Sequence, residues 1–221
     1  MSLHEPTIDA LSAEFADLPD VECARGDVRD VPIAPGTMFL SPANSLGFMD
    51  GGIDAAYMEM FPGVQRAVQA KIRMLGHRTA LGRYYQPVGS ALVVPVGVAC
   101  TLVSAPTMFL PHDVSATRTA YHAMMASLMA FKKQGGTVTL LLATGLCCGY
   151  GRMDPAVSAR QVREAYDDFV GGRVPEEIER ADDPTFVVTE SRDDEQPANY
   201  DNREIHDTRE AGAGLRIIRF T

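Results

Sequence analysis

A short apolar run, Thr37 to Leu40, empties into a loop that carries Pro42, Asn44 and three glycines, Gly47, Gly51 and Gly52. From Ile53 to Met60 the pattern turns helical, until Phe61, Pro62 and Gly63 break it. A buried strand that ends in a glycine loop and restarts as a helix leaves backbone N–H groups unpaired at the helix start, where a phosphate is readily cradled. A second junction of this kind follows. Thr137 to Ala143 is the most apolar strand candidate and belongs at the centre of a sheet. It opens into Gly145, Gly149 and Gly151, then into a helix with Pro155 in its first turn that runs to Phe169.

The remaining pattern fills in around these two junctions. Ile8, Leu11, Phe15 and Leu18 fall at helical spacing across residues 7–18, and Val21 to Ala24 reads as a short strand leading to Gly26 and Asp27. Val64 to Leu75 is a helix closed by Gly76, and Ala91 to Val96 and Thr101 to Ala105 are short β-branched strands. Ser115 to Lys133 is the clearest helix, opened by Ser115 as a cap and ended by Gly135 and Gly136. Its Met124, Met125 and Met129 sit at packing positions. Strands alternating with helices predict a three-layer α/β/α domain with a mixed, largely parallel central sheet. In such sheets ligands bind beyond the C-terminal ends of the strands, where both glycine turns lie.

After Gly171 and Gly172 the composition shifts to Glu, Asp, Arg and Pro. Residues 1–170 therefore read as the core, including the N-terminal helix, and 171–221 as an acidic, partly mobile extension. Within the extension a short helix over Glu176–Arg180, a strand over Thr185–Thr189, a mobile stretch from Ser191 to Gly214 and a terminal strand over Leu215–Phe220 are expected.

A length of 221 residues fits one elaborated domain, and no apolar run is long enough to span a bilayer. The N-terminus is acidic and interrupted by Pro6 and Pro19, unlike a signal peptide, so a soluble cytoplasmic protein is expected. A net charge of −9 argues against binding of a nucleic-acid duplex, yet leaves room for a local anion site built from backbone dipoles. The four cysteines form neither a disulfide framework nor a zinc pattern, so no metal or cofactor is expected. Cys23 and Cys100 sit in strand-like apolar contexts as small core residues.

Several side chains have chemistry suited to a phosphorylated sugar. Asp54 falls in the first turn of a helix, whose positive end favours an ionised carboxylate; it either orients a ribose hydroxyl or water, or caps the helix. Asn44 offers donor and acceptor to vicinal hydroxyls, or is an ordinary turn residue after Pro42. Asp27 is a carboxylate directly after a strand, and a turn aspartate is the plainer alternative. The turn of Gly145, Gly149 and Gly151 lets backbone amides approach an anion, but matches neither a dinucleotide fingerprint nor a P-loop. Cys147 and Cys148 invite a thiol-nucleophile reading, which needs a nearby base; His77, His112 and His122 have no fixed relation to that loop in the sequence. His112 and Asp113 read either as a catalytic pair or as a loop.

Taken in order, Ser41–Pro42–Ala43–Asn44, Gly51–Gly52–Ile53–Asp54 and Ala143 to Gly151 resemble a macro domain, the ADP-ribose-binding module. Arg25–Gly26–Asp27–Val28 is similar to the Gly-Asp-Ile of that family, and the Asn44-to-Asp54 spacing looks like its hydrolase branch. The likeness spans roughly residues 20–170. It implies the macro-domain version of the α/β/α fold, with Asp27 and Val28 at adenine. Gly51, Gly52, Ile53, Gly145, Leu146, Cys147, Cys148 and Gly149 would line the diphosphate, Tyr150 would close over the distal ribose, and Asn44 and Asp54 would carry hydrolysis. The implied partner is ADP-ribose or an ADP-ribosylated substrate.

The chain departs from the family pattern at Met49–Asp50, where glycines are usual, and at the two cysteines of the second loop. Three readings follow. The first is hydrolysis of an ADP-ribosyl bond or of ADP-ribose 1″-phosphate. The others are a non-catalytic reader of ADP-ribose and a scaffold that kept the fold without the pocket.

Overall fold

The computed structural model describes residues 5–175 and 215–219. The helix and strand expected at 176–180 and 185–189, and the stretch 191–214, lie outside the described residues. Chain order is α1 (Glu5–Glu14), β1 (Val21–Ala24), a 3-10 turn (Val28–Asp30), β2 (Thr37–Ser41), α2 (Gly52–Met60), α3 (Val64–Leu75), β3 (Leu92–Val96), β4 (Cys100–Ser104), α4 (Thr119–Lys133), β5 (Leu140–Ala143), α5 (Pro155–Val170) and β6 (Leu215–Arg219).

The strands form one mixed sheet in the order β1-β6-β5-β2-β4-β3. β2 pairs parallel with β4 and β5, while β6 lies antiparallel between β1 and β5, and β3 is antiparallel to β4. Following these pairings, β1, β5, β2 and β4 all run the same way, so the loops after them emerge at one rim.

Side chains alternate across the sheet and separate two cores. Met38, Leu40, Val103, Leu141 and Ala143 face a core shared with Phe15, Met124, Met125 and Tyr166, beneath α1, α4 and α5. Phe39, Leu102 and Leu142 face the other side, against Tyr57 of α2, Val68 and Ile72 of α3, and Phe61 in the turn between the two helices. Phe39 meets Tyr57 and Phe61 edge-on, at centroid separations of 5.8 and 5.1 Å. Such pairs add about 0.5–1.5 kcal/mol each beyond the area they bury. Helices on both faces of a mixed sheet make the expected three-layer α/β/α architecture.

Local chemistry explains most boundaries. Gly63 (φ 91°) and Gly76 (φ 80°) bracket α3 in left-handed conformations that other residues adopt only with strain. Asp154 caps α5 by accepting from the Ala156 and Val157 amides, with Pro155 following it. The expected start of α4 at Ser115 is corrected to Thr119. The Val114 amide is held by the Gly151 carbonyl, and Asp113 accepts from the Ser115 amide. Residues 113–117 therefore form a tight turn tied to the second glycine loop rather than a first helical turn.

A candidate ligand-binding rim

Asp54 is the third residue of α2, and the preceding Gly51 caps the helix without any side-chain bond. Its carboxylate turns inward. Asp54 Oδ1 accepts a 2.6 Å hydrogen bond from the hydroxyl of Ser41, the last residue of β2, and the aspartate keeps only 7% of its surface exposed. Burial pushes its pKa up to about 7; the Ser41 bond pulls the other way, and the nearby Asp50 charge raises it further. The sequence reading has the helix start favour the ionised form of this carboxylate; burial works against it.

Asn44 builds the loop it sits in. Its Oδ1 accepts from the Leu46 and Phe48 amides at 3.1 and 3.3 Å, and its Nδ2 donates to the Phe48 carbonyl at 2.9 Å. An amide has two N–H donors, so one is left to offer a sugar hydroxyl. Beyond the strands, the pairing of β2 with β4 continues through an Asn44–Met108 bridge, which brings residues 105–110 to the same rim. The sequence reading missed that third loop.

Asp27 caps the 3-10 turn. It accepts from the Arg29 amide and from the Arg29 guanidinium at 2.5–3.1 Å, and Arg29 reaches on to Glu59 at 3.0 Å. The guanidinium holds the Asp27 carboxyl below its usual range. The Val28 side chain is buried, so its backbone is the part it can present.

The two glycine turns meet. A Cβ placed on Gly51 would lie 3.2 Å from Cε2 and 3.3 Å from the hydroxyl of Tyr150, which stretches from the second loop across the first and remains 44% exposed. Gly52 follows at φ 58° with open space around its missing side chain, and Gly149 is likewise unobstructed. Ile53 is half-buried against the core of α2 and α3.

No family model matches the sequence, and no curated protein matches it either. Among solved structures the chain is similar to the macrodomain of Mycobacterium tuberculosis DarG. The TM-score is 0.50 at 17% identity, over 63% of this chain and 87% of that one.

The fold is macrodomain-like.

Within this macrodomain-like frame the side chains of the rest of the second loop face the protein interior. A Cβ on Gly145 would fall 2.3 Å from Thr7 Cγ2, so α1 occupies the space that the glycine leaves. Leu146 is buried, and its carbonyl accepts the Ser158 hydroxyl at 2.6 Å. Cys147 adopts φ 63°, strained for a residue with a side chain, and its carbonyl accepts the Met153 amide. Burial pushes the Cys147 thiol up to about 11 and raises Cys148 too, the reverse of what a nucleophile needs. His112 Nδ1 lies 2.6 Å from the Leu110 carbonyl, while Asp113 is engaged with Ser115 and faces Arg152, so these two form a loop rather than a catalytic pair.

Ser41 is the site residue whose part the sequence reading did not assign. Its signal was a hydroxyl closing an otherwise apolar strand, thirteen positions before a helix-start carboxylate. Concavities elsewhere, one of about 90 Å³ beside Ala91 and Ala130 and one of about 270 Å³ beside Phe61 and Pro95, contain no carboxylate, histidine or thiol. Among the described residues no cluster fit to hold a metal occurs, and no helix is long and apolar enough to cross a membrane.

Proposed function

We propose that this rim binds ADP-ribose, or a close derivative, and hydrolyses an ADP-ribosyl bond or ADP-ribose 1″-phosphate. The observation that carries the reading is the placement of Tyr150 over Gly51, which makes one enclosure of two glycine turns from adjacent parallel strands. The diphosphate lies against the free amides at Gly51, Gly52 and Ile53 and the turn at Leu146–Gly149, where the start of α2 favours negative charge. Asp27 and Val28 take the adenine end, and Asn44 holds the distal ribose with its remaining N–H.

Asp54 supplies the chemistry. Ser41 holds one carboxylate oxygen, and the other takes a proton from the water that attacks the anomeric carbon. The acceptor leaves with the bonding pair and is protonated from solvent. A carboxyl whose pKa lies near 7 suits this exchange. Calorimetry with ADP-ribose tests binding, and product release from ADP-ribosylated protein tests turnover. Asp54→Ala should abolish release while keeping much of the binding; release at the wild-type rate would remove Asp54 from the reaction.

A non-catalytic reader is the second reading. It is favoured by the hydrogen bonds that already engage Asn44 and Asp54 within the protein. Tight ADP-ribose binding without product release from several ADP-ribosylated substrates would establish it.

A further inference from the structure

Charge is segregated along this chain in a way that the rim does not explain. From Met60 to His112 there is no aspartate or glutamate, but there are five cations, Arg66, Lys71, Arg73, Arg78 and Arg83, in a chain of net charge −9. Lys71 points inward, its ammonium donating to the Val93 carbonyl. The four arginines are exposed, two on α3 and two on the segment that follows it. Arg66 and Arg73 share the outer face of α3, about 10 Å apart along its axis. Past Gly76 the chain folds into a hairpin closed by an Arg78–Tyr84 bridge, and Arg83 stands on its return arm.

Four other arginines are neutralised locally: Arg29 holds Asp27, Arg118 holds Glu164, Arg163 holds Asp17 and Arg173 holds Asp168, whereas Arg152 and Arg160, on other elements, hold no carboxylate among the described residues. Among the described residues Arg66, Arg73 and Arg83 hold no carboxylate. Between them in the sequence come two large apolar side chains, Met74 at 83% and Leu81 at 79% exposure. Unpaired guanidinium groups interleaved with exposed apolar groups make a surface that lacks its complement.

We infer that the outer face of α3 and the hairpin after it form a docking surface for an acidic polypeptide segment with apolar side chains among its carboxylates. A nucleic-acid strand fits less well. The Tyr84 ring is covered by the Arg78 guanidinium at 4.2 Å and is half-buried against the core of α2 and α3, which leaves little of it for a base to stack on. The net charge of −9 also opposes a long polyanion, whereas a few carboxylates match the arginines. The opposite, buried face of α3 reaches the candidate site, where Val68 and Ile72 pack on Gly47 of the first loop. Docking itself requires nothing from the rim.

The test is fluorescence anisotropy of the full chain with three labelled probes of equal length: a Glu-Glu-Leu repeat peptide, a Ser-Ser-Leu repeat peptide and oligo-dT. The acidic peptide should bind, weaken as salt rises, and lose about tenfold or more in affinity in the Arg66→Glu/Arg73→Glu/Arg83→Glu protein. A triple Arg→Gln protein, checked by circular dichroism, should show a smaller loss at unchanged fold. Absence of acidic-peptide binding would overturn the inference, as would equal binding of the neutral peptide or affinity indifferent to both triple variants. Tighter binding of oligo-dT, abolished by the same substitutions, would also overturn it and assign the surface to nucleic acid.

Discussion

Ser41 donates its hydroxyl to Asp54 Oδ1 across 2.6 Å, joining the end of the central strand to the start of the helix that lines the rim. That bond holds down a carboxyl that burial and Asp50 push up. Ser41→Ala should therefore raise the Asp54 pKa above its present value of about 7, and Ser41→Thr should restore it. Carbon-13 NMR titration of the aspartate carboxyl reads this directly, whether or not the protein turns anything over. An unchanged titration in Ser41→Ala would mean that the hydroxyl contributes nothing.

Asp54 also sets a pH dependence of stability. Its folded pKa is about 7 against a reference value of 3.8, so the folded state binds its proton more tightly than the unfolded chain does. The stability tied to that proton is fully present below pH 3.8, declines as pH rises through 7, and is gone above it. The loss is a few kcal/mol, roughly 4 at most. Asp54→Asn cannot lose that proton, so it should melt above wild type at pH 8 and near wild type at pH 4. Thermal unfolding at the two pH values decides the point.

Gly51 is extended (φ −147°), so alanine is tolerated by the backbone there, but its methyl would press on Tyr150. Gly51→Ala should leave the melting temperature within a few degrees and weaken ADP-ribose binding by about tenfold, through a displaced ring and a blocked approach to the helix start. Calorimetry on the variant and on Tyr150→Ala measures this. Undiminished affinity in both would mean that the two loops do not jointly enclose the ligand.

Gly145 has no such latitude. A methyl 2.3 Å from Thr7 Cγ2 must displace α1, at a cost of about 1–3 kcal/mol. Thr7→Ala removes the obstructing carbon, so the double variant should recover most of the loss in a urea titration. A purely additive result would place the strain elsewhere.

Much of the architecture was legible because short-range chemistry sets it. Gly63 and Gly76 around α3, and the Asp154–Pro155 start of α5, mark boundaries with groups that only those positions require. What escaped depended on partners distant in the chain. Ser115 has the chemistry of a helix cap, yet the turn it belongs to is drawn off by the Gly151 carbonyl. Asp54 was visible as a helix-start carboxylate, but its inward aim toward Ser41, and hence its proton affinity, followed from packing of α2 on the sheet. Gly145 read as a residue cleared for an anion; the space is taken by Thr7 of α1. The thiols of Cys147 and Cys148 invited a nucleophile reading that needed a nearby base, and the core around them raises their pKa instead.

β1 has a single neighbour in the sheet, and that neighbour is β6, with Val21 opposite Ile218. The strand that leads into Asp27 is therefore registered by residues far downstream in the chain. A nascent chain emerging from the ribosome can assemble β2 to β5 and both glycine turns while β1 still waits for its mate. The Asp27 end of the rim matures after the two glycine turns, and a stop codon before Leu215 would leave β1 without its neighbour on an otherwise assembled sheet.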